Sequence, residues 1–121
     1  MVKARLFEQF KGANTLLIWA SAAGMHAFGE TLSGLLNGAS EATIGDGPNA
    51  LTICVVGHPS GKSHVTWTDG SLRWEITGDV LKLATELVKP LLLNSGHQFL
   101  DATGEAEQVI ISADEYSAEF Q

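Results

Sequence analysis

The chain has one cysteine, one tyrosine and three prolines in 121 residues, and after Lys89 it has no lysine or arginine at all. The lone Cys54 rules out an intramolecular disulfide and any zinc cage built on cysteines. Inside the apolar run Leu51-Thr-Ile-Cys-Val-Val56 it reads as a small buried side chain. No apolar stretch approaches the ~20 residues that a membrane-spanning helix needs. The first ten residues intersperse Lys3, Arg5 and Glu8 among short apolar pieces, unlike a secretory leader, so a cytoplasmic protein that does not engage a membrane is expected.

Positive charge is scarce throughout. Seven Lys and Arg stand against 14 Asp and Glu, for a net charge of −7 at pH 7. Asp101, Glu105, Glu107, Asp114, Glu115 and Glu119 all fall in the last quarter, where no lysine or arginine answers them. Such a field repels a phosphate backbone, which argues against nucleic-acid binding, and it attracts a basic protein. An apolar content of 45% with 17% charged residues belongs to an ordinary globular protein, and the length suits a single domain over 1–121.

What the chain does have is internal repetition. Leu17-x-Trp19 matches Leu72-x-Trp74 at an offset of 55, and Met25, Phe28, Gly29, Leu32 and Leu36 match Val80, Leu83, Ala84, Leu87 and Leu91 without a gap. The spacing i, i+3, i+4, i+7, i+11 is the apolar stripe of a helix, and the segment before it reads as a strand. The repeats span 3–57 and 63–112, followed by an acidic tail over 113–121. Strands are expected over 4–10, 15–20, 41–45 and 51–56, the last buried on both faces, with a helix over 22–37 closed by Asn37-Gly38. In the second repeat a hairpin over 65–76 turns at Asp69-Gly70, putting Trp67 opposite Leu72 and Val65 opposite Trp74. Thr77 caps a helix with Asp79 in its first turn, Pro90 ends it, and strands 97–101 and 108–112 form a last hairpin around 102–106. The expected fold is α+β: two ββαββ repeats in one antiparallel or mixed sheet, both helices packed on one face, related by a pseudo-two-fold. Trp19 and Trp74 are expected to face those helices. A single repeat is marginal in size, so fusion of two copies or a homodimer is expected.

Little in the chain points to catalysis. Gly57-His-Pro-Ser-Gly61-Lys62-Ser63 is one residue short of a phosphate-binding loop and leads into a strand where such a loop needs a helix N-terminus. His26, His58, His64 and His97 show no metal-ligand spacing, and no serine sits in G-x-S-x-G. No metal, cofactor or enzymatic role is expected. Strand alternation does put His97, Phe99 and Asp101 on one face, which suggests a partner interface or a local hydrogen bond for His97 rather than catalysis.

Gly78-Asp-Val-Leu-Lys-Leu-Ala-Thr-Glu-Leu87, Gly96-His-Gln-Phe-Leu-Asp101 and Gln108-Val-Ile-Ile-Ser112-Ala-Asp-Glu-Tyr116 together resemble a pattern in small bacterial proteins, among them immunity proteins of polymorphic toxin systems. That pattern runs from a G-x-x-x-L-x-x-L-A type helix through a GHxxLD strand to a V-x-I-x-S-x-x-E-Y strand. All of it lies in the second repeat, and the first has no Gly-His-Gln element after its helix. The resemblance implies a protein that binds and neutralises a cognate, basic toxin by occluding it. Asp101, Glu105, Glu107, Asp114 and Glu115 would supply the charge and Tyr116 an anchor. The competing expectation is a small homo-oligomeric binding or assembly module without catalysis. Salt distinguishes them, because capture through carboxylates slows as ionic strength rises.

Overall fold

The computed structural model describes residues 2–10, 12–45, 50–57, 63–68 and 70–114, Thr68 by its backbone alone. Ten elements follow in order: β1 (Val2–Phe10), β2 (Ala13–Ala20), α1 (Ala22–Leu36), β3 (Glu41–Ile44), β4 (Leu51–Val55), β5 (Ser63–Thr68), β6 (Ser71–Ile76), α2 (Gly78–Val88), β7 (Gly96–Gly104) and β8 (Gln108–Ala113). All eight strands join one mixed sheet in the order β1-β2-β8-β7-β5-β6-β4-β3. Four antiparallel hairpins are stitched together by parallel pairings of β2 with β8, β4 with β6 and β5 with β7. β1 and β3, at opposite ends of this order, touch one another, so the sheet is curled.

Local chemistry accounts for the helix ends. Ser21 Oγ accepts from the Gly24 amide at 3.2 Å and Thr77 Oγ1 from the Val80 amide at 3.3 Å, each satisfying a first-turn donor. Asp79 lies in the first turn of α2, where the positive end of the helix dipole favours it. α1 closes at Asn37 and Gly38, the latter at φ +114°, and Pro90 sits in a 3₁₀ turn over Lys89–Leu92 that finishes α2.

One large core draws on both helices and on all eight strands: Leu16 and Ile18, Leu51 and Ile53, Leu72, Trp74 and Ile76, and Val109 and Ile111 meet Met25, Phe28, Leu32, Leu81, Ala84 and Val88. The buried positions of α1 are Gly24, Met25, Phe28, Leu32 and Leu35; those of α2 and its 3₁₀ turn are Val80, Leu81, Ala84, Val88 and Leu91.

Several expectations are corrected. Leu17 and Trp19 do not join Leu72 and Trp74; with Ile110 they form a second cluster on the opposite face of the sheet, flanked by Phe7 and Phe10. The cause is strand alternation, since Leu16, Ile18 and Ala20 are the β2 residues in the main core and their neighbours must point away. On α2, Leu83 is 50% exposed while Leu81 is 2% exposed, and on α1 Leu35 is buried where Leu36 was expected. Trp67 pairs with Leu72 and Val65 with Trp74 as expected, yet Trp67 is 45% exposed: β7 pairs with β5 only over Ser63–Val65 and leaves that side of Trp67 without a registered neighbour, whereas Leu72 is flanked by Leu51. β4 is second from the edge of the sheet and leaves Thr52 only partly covered. β7 runs on to Gly104 because Ala102, Thr103 and Gly104 pair with Ser63, His64 and Val65. Residues 46–49 between β3 and β4, 58–62 of the glycine-rich loop and Asp69 of the expected hairpin turn lie outside the described residues.

Candidate functional site

The β7–β8 turn is where charge, exposure and rigidity coincide. Glu105 donates its amide to the Val65 carbonyl and Glu107 donates to the Asn14 carbonyl, both at 2.8 Å. Asn14 returns a hydrogen bond from its own amide to Glu107 Oε1 at 3.2 Å, and the Ala102 amide closes the hairpin on the Glu107 carbonyl at 2.9 Å. Ala106 between them is fully buried. Two strands far from it in sequence, β2 and β5, thus clamp one short turn, and both of its glutamates are exposed.

Gly104 makes this close approach feasible. It sits at φ +89°, and a Cβ there would overlap the Val65 carbonyl oxygen and crowd the His64 ring. His64 Nδ1 lies 2.9 Å from Thr103 Oγ1, whose hydroxyl donates to the Ser63 carbonyl at 3.1 Å. Ser63 Oγ donates in turn to the Asp101 carbonyl at 3.0 Å. On the other side Gln108 Nε2 donates to Thr15 Oγ1 at 2.9 Å, tying β8 to β2.

The acidic residues expected to act together are divided by this geometry. Asp101 lies on β7 opposite Gln108, one step from the turn that carries Glu105 and Glu107, and all three are exposed. Asp114 lies past the other end of β8, roughly 20 Å from Gln108 at the rise of an extended strand. His97 pairs with Ser112 at that same far end. Its side chain shares the exposed face with those of Phe99 and Asp101, and His97 is itself engaged in an interaction. Glu115 and Tyr116 lie outside the described residues. Between described residues one ion pair forms, Lys89 with Glu86 at 2.9 Å on the surface of α2, so no described cation pairs with Asp101, Glu105 or Glu107.

Asn14, Val65 and Gly104 are the residues of this candidate site that local sequence reading missed. Asn14 and Gly104 read simply as turn residues, and the partners they hold lie too far along the chain to leave a local signal.

Elsewhere a groove of about 230 Å³ opens between α1 and α2, lined by Gly29, Val88 and Leu92 and by the polar His26, Glu30 and Lys89. Among the described residues no three His, Cys, Asp or Glu side chains converge to hold a metal ion, and no described helix is long and apolar enough to cross a membrane. Cys54 is buried on β4, with Arg73 Nη2 2.8 Å from its sulfur. No protein-family model matches the chain, and neither a curated protein nor a solved structure matches it.

Proposed function

We propose that this protein is an immunity-type binding protein of the cytoplasm, which occludes a basic partner, a cognate toxin, through the acidic turn between β7 and β8 and carries out no catalysis. The observation that carries this reading is the clamped turn itself. Asp101, Glu105 and Glu107 are exposed, have no described cation beside them, and two of the three sit on backbone pinned to β5 and to β2. Pinning lowers the ordering entropy that a partner must overcome, and exposed like charge raises the rate of capture by a basic protein. The resemblance to immunity proteins in the second half of the chain points the same way. Asp114 and His97, at the far end of β8 and β7, are not part of this docking turn.

The same reading includes the architecture. The buried helix positions 24, 25, 28, 32 and 35 become 80, 81, 84, 88 and 91 on adding 56, and the caps Ser21 and Thr77 obey the same offset. Leu16, Ile18 and Ala20 then fall on Leu72, Trp74 and Ile76, all in the main core. Two ββαββ copies offset by 56, with both helices on one face of the sheet, account for this agreement; an offset of 55 does not.

The test is surface plasmon resonance against the basic protein that co-purifies with the chain from its source organism. Reversing charge with Glu105→Lys and Glu107→Lys should slow association by about tenfold or more, as should raising the salt from low to physiological strength. Capture that survives both changes refutes the reading. Self-association indifferent to salt would favour the homo-oligomeric module instead.

A further inference from the structure

Gly29 sits in the middle of α1, where glycine costs stability relative to alanine. Nothing in its surroundings requires it. Its φ lies outside the left-handed region, and a Cβ there would meet Val88 Cγ1 at 3.7 Å and Leu92 Cδ2 at 3.9 Å, ordinary van der Waals contact. Alanine would fit, add helix propensity and bury a methyl group against Val88 and Leu92. On the offset of 56 the matching residue of α2 is Thr85, which does carry a side chain, and both line the groove between the helices. The missing Cβ leaves open the floor of that groove, whose volume is about 230 Å³. Val88 there is buried and Gly29 and Leu92 are half-buried, whereas His26, Glu30, Ser33 and Lys89 on its rim are exposed.

The two sides of the rim differ. On α1, His26, Glu30 and Ser33 recur at i, i+4 and i+7 and share one side of the helix. No hydrogen bond or ion pair joins any of these three side chains to another described residue. On α2 the polar groups already have partners: Thr85 Oγ1 donates to the Leu81 carbonyl at 2.9 Å, and Lys89 Nζ is paired with Glu86 Oε1 at 2.9 Å. With Lys89 answered by Glu86, Glu30 is the charge left over, and a cation complements it. Size sets the rest of the ligand. A cavity of roughly 150 Å³ takes up benzene, and sites for drug-sized ligands begin at roughly 300 Å³, so this groove suits a single ring or branched alkyl group on a short chain.

We propose that the groove between α1 and α2 binds a small organic amine, its apolar body seated over Val88 and Leu92 in the space that Gly29 leaves and its ammonium group donating to the Glu30 carboxylate. The Ser33 hydroxyl on the same side of α1 can accept a further N–H. An acid of the same shape would bring like charge to Glu30 and would have to displace Glu86 from Lys89. No residue of the groove belongs to the β7–β8 turn, so this site and the docking of a basic protein can fail independently.

The deciding experiment titrates phenethylamine into the full chain at neutral pH and follows backbone amide shifts, with phenethyl alcohol and hydrocinnamate as the neutral and anionic controls. Shifts centred on Gly29, Val88 and Leu92 are expected, with a Kd for the amine on the order of a millimolar. The alcohol should bind about threefold more weakly, and the acid more weakly still. Glu30→Gln should bring the amine down to the level of the alcohol and leave the alcohol unchanged. Gly29→Ala should weaken amine binding about tenfold or more while melting no lower than the wild type, because its methyl group fills the floor without straining the helix. Shifts centred elsewhere, no shift at about ten times that concentration, or undiminished binding to Gly29→Ala overturns the site. Acid binding as tight as the amine overturns the assignment of its charge, and a Gly29→Ala variant that melts below the wild type overturns the premise that the fold does not need this glycine.

Discussion

At Gly104 two costs coincide: a left-handed φ of +89°, which L side chains resist, and a carbonyl oxygen where a Cβ would go. Gly70, at φ +74°, bears the first cost alone, because no atom lies within 4 Å of its would-be Cβ. Gly70→Ala should therefore lower stability by about 1 kcal/mol, and Gly104→Ala by about 2–4 kcal/mol. Urea unfolding of both variants checks the difference, and equal losses would mean that the Val65 contact is not what constrains the turn. Cys54 makes a different residue-scale prediction. Burial pushes its thiol above the ordinary value of 9.0, while the neighbouring Arg73 guanidinium pulls it back down. The folded chain thus holds the thiol neutral more firmly than the unfolded chain does. The stability this contributes is fully present below pH 9.0 and is lost as pH rises through the folded value. Relative to Cys54→Ala, the wild type should lose more stability between pH 8 and pH 10, measured as the difference in urea midpoints, and its thiol should alkylate slowly at neutral pH.

Among the elements, α2 separates two leucines that a sequence reading ranks the other way round. Leu81 points into the core and Leu83 into water. Leu81→Ala should cost about 2–4 kcal/mol through lost contacts and the cavity left behind, and Leu83→Gln should stay within about 0.5 kcal/mol. Thermal melts of the two variants decide the matter, with equal shifts counting against the observed helix rotation. The same one-residue ambiguity governs β2. Element type was legible in the chain: the cap at Thr77, Gly38 and Pro90 at helix ends, and the Val65–Trp74 and Trp67–Leu72 pairs all leave local signals. Facing was not. Leu16-Leu-Ile-Trp19 is apolar at every position because both faces of β2 are covered, so it offers no alternation from which inside and outside can be told. An offset of 55 aligns the two tryptophans by name, whereas burial aligns Ile18 with Trp74. A slip of one residue exchanges the two faces of a strand entirely. The acidic turn was legible as charge but not as a rigid element, because its clamps at Asn14 and Val65 are tertiary.

For the molecule as a whole, strand order sets how its two halves depend on each other. The β1–β2 hairpin joins the rest of the sheet only through β8, and the β3–β4 hairpin joins only through β6. Residues 1–57 by themselves therefore supply two hairpins with no registered pairing between them. Residues 58–121 supply the contiguous order β8-β7-β5-β6, though β5 and β7 share only three registered pairs. The first half therefore depends on the second for a continuous sheet, while the second has a sheet of its own whose flanks lie open. Fragments of this size bury barely 60% of their unfolded surface and are marginal on that ground alone. Separately expressed, 1–57 should show the circular dichroism of an unfolded chain. The 58–121 fragment should retain β signal but bind an apolar dye through its uncovered face. Mixed in equal amounts, the two should recover the far-ultraviolet spectrum of the intact protein as a one-to-one complex, at the entropic disadvantage of a bimolecular reaction. Cooperative folding of 1–57 alone at micromolar concentration would mean that the parallel β2–β8 and β4–β6 pairings are not what commits the first half to its structure.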